Sequence, residues 1–263
     1  MSKNGYLNGE LNLVEMISKW LGKKKTGLDL IREVRTDDCF IASYPKSGNT
    51  WVRFILANAL TSDQVTFKNL NSFVPGIYGH AESIDNMDFP RFIKTHDSQF
   101  DKYPKCIAIV RNPKELIVSY YHYHVGNKAF EGSIEEYVKD FIFEKEFGRW
   151  DEHCLKLRTA IHDRPESFLL LKYEHLLEDA ETMIDLMLDY CNIEPEKSVE
   201  EIVSLTSFSA LQNNESEHGR VFDTKLQFFR NGQSDSYKSE LSQDLQKLIN
   251  ERYESAMTWL AYE

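Results

Sequence analysis

The stretch FIASYPKSGNTWVRFILANAL at 40–60 constrains this chain more than any other. A short apolar run, Phe40-Ile41-Ala42, feeds Tyr44-Pro45-Lys46-Ser47-Gly48-Asn49-Thr50, and from Trp51 onward the apolar residues recur at helical spacing. Strand, tight polar turn and helix in that order open a βαβ unit, which commits the chain to a parallel sheet covered on both faces. A helix N-terminus after such a turn presents unpaired amides and the positive end of the helix dipole, so the turn suits an anion, with Lys46 and Thr50 beside it. The lysine precedes the glycine, and the GxxxxGK[ST] order that cradles nucleoside triphosphates is missing here, which argues against ordinary ATP-driven phosphoryl transfer. Taken alone, the stretch also fits a tight turn with an exposed lysine.

The rest of the chain repeats the alternation. Strands are expected at 38–44, 91–95, 105–110 and 167–171, and helices at 51–60, from Pro113 through Tyr120 and Tyr121, at 175–190 and at 241–260. The clearest strand is Lys105-Cys106-Ile107-Ala108-Ile109-Val110, with Pro104 before it and Asn112-Pro113 after it, where Pro113 suits a first helical turn. Ligands of open α/β sheets bind beyond the carboxyl ends of the strands. Three chemically loaded stretches fall at such ends: 44–50, Thr95-His96 and Arg111-Asn112.

At 263 residues the chain has room for one sizeable α/β domain. A net charge of −11 argues against nucleic acid or an anionic membrane as the main partner, although one basic pocket can still hold an anion. Cys39, Cys106, Cys154 and Cys191 form no CxxC pair and read as reduced thiols of a cytoplasmic protein, without zinc or a disulfide framework. No apolar run approaches the ~18 residues that span a bilayer, and MSKNGYLNGE lacks the apolar core of a signal peptide. The amphipathic segment 11–21, followed by Lys23-Lys24-Lys25, reads as a peripheral capping helix. One domain, 1–263, is expected, with a helical cap at 1–37, a motif-bearing core at 38–238 and a closing helix at 239–263.

The stretch IVRNPKELIVSYYHY places Arg111 at a strand end and Ser119 eight residues further on, in the following helix. An arginine fork plus a hydroxyl suits a second phosphate, while a surface ion pair and a helix-packing serine fit the same residues equally well. Together, YPKSGNTW and RNPKELIVSYYHY resemble the loops with which sulfotransferases hold 3′-phosphoadenosine 5′-phosphosulfate (PAPS). FIKTH at 92–96, LLLKYEHLLED at 169–179, LTSFSALQ at 205–212 and FFRNGQ at 228–233 follow in that family's order, so the resemblance covers about 38–238. It implies a single α/β domain with a central parallel sheet flanked by helices, the nucleotidase-like, P-loop-related sulfotransferase fold.

The resemblance also implies roles. Lys46, the amides of Ser47, Gly48, Asn49, Thr50 and Trp51, and the Thr50 hydroxyl would hold the 5′-phosphosulfate. Trp51 and Phe208 would cover the two adenine faces, with Tyr173 and Thr206 as polar contacts to the nucleotide. Without the family, Tyr173 and Phe208 read as core aromatics. Arg111, Ser119 and Arg230, with the backbone near Gly232, would grip the 3′-phosphate. His96 matches the catalytic histidine, and an imidazole with an ordinary pKa near ~6.5 is a competent base at neutral pH. A lone histidine without that context reads as structural. The implied reaction is in-line transfer of a sulfuryl group from PAPS to a hydroxyl or amine of a small-molecule acceptor. His96 would take the proton, Lys46 would support the leaving adenosine 3′,5′-bisphosphate (PAP), Lys94 would assist at the sulfuryl oxygens, and no metal would be required.

Departures from the family pattern are local. Asn49 replaces a threonine, and Arg230-Asn231-Gly232-Gln233-Ser234-Asp235-Ser236-Tyr237-Lys238 replaces RKGxxGDWK, so position 231 drops out as a charge contact. The KxxxTVxxxE dimer motif is absent, and the dimer is not carried over. Acceptor walls are expected at 64–90 and 213–223. Glu82, Asp85 and Asp88 there suit a cationic or polar acceptor, and Phe73, Tyr78 and Phe89 suit a flat or apolar one. The competing readings are a kinase-like phosphotransferase, a non-catalytic binder of PAPS or PAP, and a Golgi-anchored glycan or tyrosine sulfotransferase, for which no anchor is visible.

Overall fold

The structure is a computed structural model that describes residues 26–88, 90–218 and 235–262. Its frame is a four-stranded sheet: β1 (Cys39–Ser43), β2 (Phe92–Thr95), β3 (Lys105–Val110) and β4 (Phe168–Lys172). The order is β2-β1-β3-β4 and every pairing is parallel. The register sets Ala42 opposite both Thr95 and Ala108, so the loaded ends of β1, β2 and β3 emerge on one side of the sheet.

Parallel strands need crossovers, and helices supply them. Helix α1 (Asn49–Ala59) follows β1, α2 (Pro113–Gly126) and α3 (Trp150–Asp163) lie between β3 and β4, and α4 (Tyr173–Glu178) and α5 (Ala180–Cys191) follow β4. Then come α6 (Val199–Leu205), α7 (Phe208–His218) and α8 (Gln243–Leu260). Successive strand residues point to opposite faces, which builds two cores from one sheet. Phe40, Ala42, Cys106 and Ala108 pack with Leu116 and Ile117 of α2, Leu157 of α3 and Ile249 of α8. Cys39, Ile41, Ile107 and Ile109 pack with Val52 and Ile55 of α1 and Ile184 and Met187 of α5.

A fully buried ion pair fixes the starts of β1 and β2. Arg91 donates from Nε and Nη2 to the two carboxylate oxygens of Asp38, each at 2.6 Å. Removing either partner leaves the other charge buried and unpaired, a cost of about 3–5 kcal/mol.

The expected strands and the helices after β1 and β3 are found within one or two residues of their expected bounds. The single helix expected at 175–190 is two, α4 and α5, broken at Asp179 (φ −148°, ψ 79°). The Asp179 carboxylate accepts from the Thr182 amide at 3.1 Å and the Thr182 hydroxyl at 2.7 Å. That capping bond is available only if Asp179 leaves the helical conformation. The break leaves Tyr173 opening a short helix directly beyond β4. The capping helix at 11–21 lies outside the described residues, as do Phe89, Arg230, Asn231 and Gly232.

Candidate active site

The turn after β1 bends through two left-handed residues, Lys46 (φ 69°) and Gly48 (φ 99°). They bracket Ser47 and bring its amide and those of Gly48, Asn49 and Thr50 to the start of α1. None of these four amides donates to a protein group among the described residues. The Trp51 amide donates to the Gly48 carbonyl at 3.0 Å, closing the first turn of α1. Glycine at 48 is required twice over. Its φ disfavours any side chain, and a Cβ there would stand 2.6 Å from Cδ2 of Tyr173. Asn49 turns its side chain inward, donating to the Ile41 carbonyl at 3.0 Å and Ser43 Oγ at 3.1 Å, so only its amide serves the loop.

Tyr173 joins the two loaded stretches. Its ring meets Trp51 edge-on at 5.8 Å and carries the Arg111 guanidinium 4.2 Å from its centroid. Arg111 Nη1 donates to the Lys46 carbonyl at 3.0 Å, tying the end of β3 to the turn after β1. Glu115, one helical turn on, lies 3.4 Å from Arg111 Nη2 and accepts from Ser236 Oγ at 2.8 Å and the Tyr237 amide at 3.1 Å. Ser119 follows Glu115 at i+4 and is therefore on the same face of α2, where His122 bonds Glu240. Thr206 spends its hydroxyl proton on the Ile202 carbonyl at 2.7 Å, leaving only its oxygen as an acceptor. Phe208 opens α7, half-buried.

Three donors in these stretches, Ser47 Oγ, Trp51 Nε1 and Arg111 Nε, and one acceptor, Asn49 Oδ1, are buried with no hydrogen-bond partner among the described residues. Burial without a partner costs about 1–3 kcal/mol per group. Ser47, Asn49 and Trp51 lie in or next to the turn after β1, and Trp51 and Arg111 both meet the Tyr173 ring.

His96 stands just past β2, across the β1 pairing from Ser43. Its Nδ1 lies 2.8 Å from the Ser43 carbonyl, which can only accept, so Nδ1 carries the proton and Nε2 is the basic nitrogen. Burial and the nearby Lys94 charge hold the imidazole well below its ordinary value, leaving it neutral at physiological pH. Phe147 packs edge-on against the ring at 5.6 Å. Burial and the Arg53 guanidinium lower the Lys94 ammonium to about 7, against the pull of Asp97, and Nζ lies 5.4 Å from the centroid of the Tyr78 ring. Lys46 Nζ lies 4.7 Å from the centroid of the Tyr123 ring.

Ser43, Glu115 and Tyr123 are supports that sequence reasoning missed. Only Glu115 left a signal, its i+4 spacing from Arg111. Tyr78, expected as an acceptor wall, is found beside His96 and Lys94.

The sulfotransferase domain family matches residues 36–260. Sulfotransferase 1 family member D1 of Rattus norvegicus is 31% identical over 255 residues, covering 86% of this chain and 85% of that protein. Sulfotransferase 1A1 of Bos taurus is 28% identical over 254 residues, with 86% and 85% covered. The crystal structure of mouse sulfotransferase SULT7A1 complexed with PAP shares the fold, with a TM-score of 0.70 at 22% identity over 86% of this chain and 85% of that one. Matched across most of its length by this domain and by curated relatives, the chain belongs to the sulfotransferase family.

Proposed function

We propose that this protein transfers the sulfuryl group of PAPS to a hydroxyl or amine of a small-molecule acceptor in the cytoplasm, with His96 as general base. The observation that carries the reading is three unpartnered buried hydrogen-bond donors, Ser47 Oγ, Trp51 Nε1 and Arg111 Nε, which lie in the stretches that resemble the family's two phosphate-binding loops. No described helix is long and apolar enough to cross a membrane.

PAPS, when bound, supplies an activated sulfuryl group and a PAP leaving group. The amides of Ser47, Gly48, Asn49 and Thr50, with Lys46 and the Thr50 hydroxyl, would hold its 5′ end, where unpaired amides and the dipole of α1 favour negative charge. Arg111, Ser119, Arg230 and the backbone near Gly232 would hold the 3′-phosphate, and Trp51, Tyr173, Thr206 and Phe208 the nucleoside. His96 takes the acceptor proton on Nε2, because the Ser43 carbonyl fixes the other nitrogen as the donor. Lys46 steadies the charge that develops toward PAP. Lys94 brings positive charge beside the base. Most of the rate enhancement then comes from positioning and fixed charge, as in phosphoryl transfer.

The test is a transfer screen with labelled PAPS across phenols, alcohols, amines and cationic metabolites, read by mass. A sulfated product in at least one class is expected. Tight PAP binding with no product anywhere in the panel would establish a non-catalytic nucleotide binder instead.

The pH dependence follows from the two shifted groups. His96 is neutral from well below its ordinary pKa upward, so the base is available across the neutral range. Lys94 is charged below about 7 and loses its proton above it. Accordingly, kcat/KM for PAPS, which reports the free enzyme, falls as pH rises through about 7. The anionic donor favours the ammonium, so the corresponding limb of kcat lies at higher pH. A kcat/KM that stays flat from pH 6 to 9 would remove Lys94 from the mechanism.

A further inference from the structure

Beside His96 a carboxylate holds a position that the transfer reaction alone does not require. Asp97 follows the histidine directly, and both of its oxygens are committed. Oδ1 accepts from the Tyr78 hydroxyl at 2.9 Å, and Oδ2 accepts from the Gly27 amide at 2.5 Å. A Cβ at Gly27 would stand 2.9 Å from Oδ2, so the close approach depends on that glycine. The Tyr78 phenol has one proton, and an ionised carboxylate can only accept, so that proton points at Asp97. The Tyr78 oxygen is thereby left to accept from the backbone amide of His96, at 3.1 Å. The ring beneath that hydroxyl is the one over which Lys94 is placed.

We infer that Asp97 is a positioning residue for transfer: through the Tyr78 hydroxyl it fixes the His96 backbone, and through its own charge it favours the ammonium form of Lys94 beside that ring. The inference rests on the reading of His96 and Lys94 given above. Lys94 is faced by Arg53 from α1, by His96 and Asp97 at the end of β2, and by the Tyr78 ring. Asp97 is the group among these that favours its charged form. Neutralising Asp97 therefore acts on Lys94 by electrostatics, and it frees the Tyr78 proton to turn elsewhere. Removing the Tyr78 hydroxyl takes away the acceptor for the His96 amide and the contacts to Asp97 and Thr95, but leaves the Asp97 charge beside Lys94.

Three variants separate these effects. In Asp97→Asn, the alkaline limb of kcat/KM moves to lower pH. At pH 6.5, acetic anhydride acylates Lys94, quantified by mass spectrometry, about twofold faster than in the wild type, as a half-unit fall from about 7 requires. Asp97→Glu returns both readouts toward wild type. Tyr78→Phe keeps the ring and loses the acceptor for the His96 amide, so kcat falls about fivefold with the limb unmoved. A role confined to anchoring Gly27 lowers the melting temperature of Asp97→Asn but leaves Lys94 acylation and the limb unchanged, and that result would overturn the inference. Should Asp97→Asn fail to bind PAP, Tyr78→Phe decides: full kcat at wild-type PAP affinity refutes the role, and reduced kcat supports it. The acylation measurement needs no acceptor. Absence of transfer by the wild type would refute the functional reading and leave acylation to judge Asp97.

Discussion

Replacing His96 with alanine lowers kcat at saturating PAPS and acceptor by about 10²–10⁴-fold, the range that a positioned general base contributes. PAP affinity stays within about twofold, because the contacts of His96 go to Ser43, Tyr78 and Phe147, none of them assigned to the donor. The size of the effect follows from how completely the structure prepares the imidazole. The Ser43 carbonyl takes the Nδ1 proton, the Tyr78 oxygen takes the backbone amide, and Phe147 bounds the ring edge-on. Burial and Lys94 keep the ring neutral, so almost every molecule is competent to accept a proton at neutral pH. Alanine removes the only group at that position able to take it. The measurement is product formation by mass spectrometry alongside calorimetric titration with PAP. If His96→Ala kept more than about a tenth of wild-type kcat, the base assignment would fail. If PAP affinity fell in parallel, His96 would be a donor-site support.

Much of this site is legible in the sequence because it lies at strand ends. An apolar run such as 105–110, closed by Arg-Asn-Pro, announces a buried strand, a polar crest and a helix in one line. The parallel register then brings 44–50, His96 and Arg111 together without further information. What cannot be read there depends on pairings across long sequence distances. The tautomer of His96 is set by a carbonyl 53 residues earlier, and the link between the two phosphate loops is an arginine bonded to a carbonyl 65 residues away. Side-chain direction is also hidden. Asn49 carries the letters of a ligand-binding residue and spends its amide group on β1, and the Trp51 amide closes a helical turn where a ligand contact is expected. The break at Asp179 was in principle readable as a capping residue three positions before Thr182. It is overlooked because the apolar periodicity continues through it.

Arg111→Ala provides the second large effect, and its diagnostic is a ratio. The guanidinium makes one bond that braces the fold and has one nitrogen without a partner among the described residues, which the proposed reading gives to the donor. Nη1 braces the Lys46 carbonyl at 3.0 Å, a contact belonging to the fold of the phosphosulfate turn. Nε is buried with no partner among the described residues, on a guanidinium 4.2 Å from the centroid of the Tyr173 ring, and in the proposed reading this atom meets the 3′-phosphate. Loss of the brace weakens the turn for every donor by about 1 kcal/mol, or roughly fivefold. Loss of a hydrogen bond to a charged phosphate costs about 1.5–3 kcal/mol more, and only for a nucleotide that carries the 3′-phosphate. The expected result is a further 10–100-fold loss, approximately, in PAP affinity relative to adenosine 5′-phosphosulfate, which lacks that group. Arg111→Lys, with a point charge in place of the planar fork, falls between the two. Equal losses for both nucleotides would mean that Arg111 is a brace and no more, and the 3′-phosphate would then have to be held by residues outside this arginine.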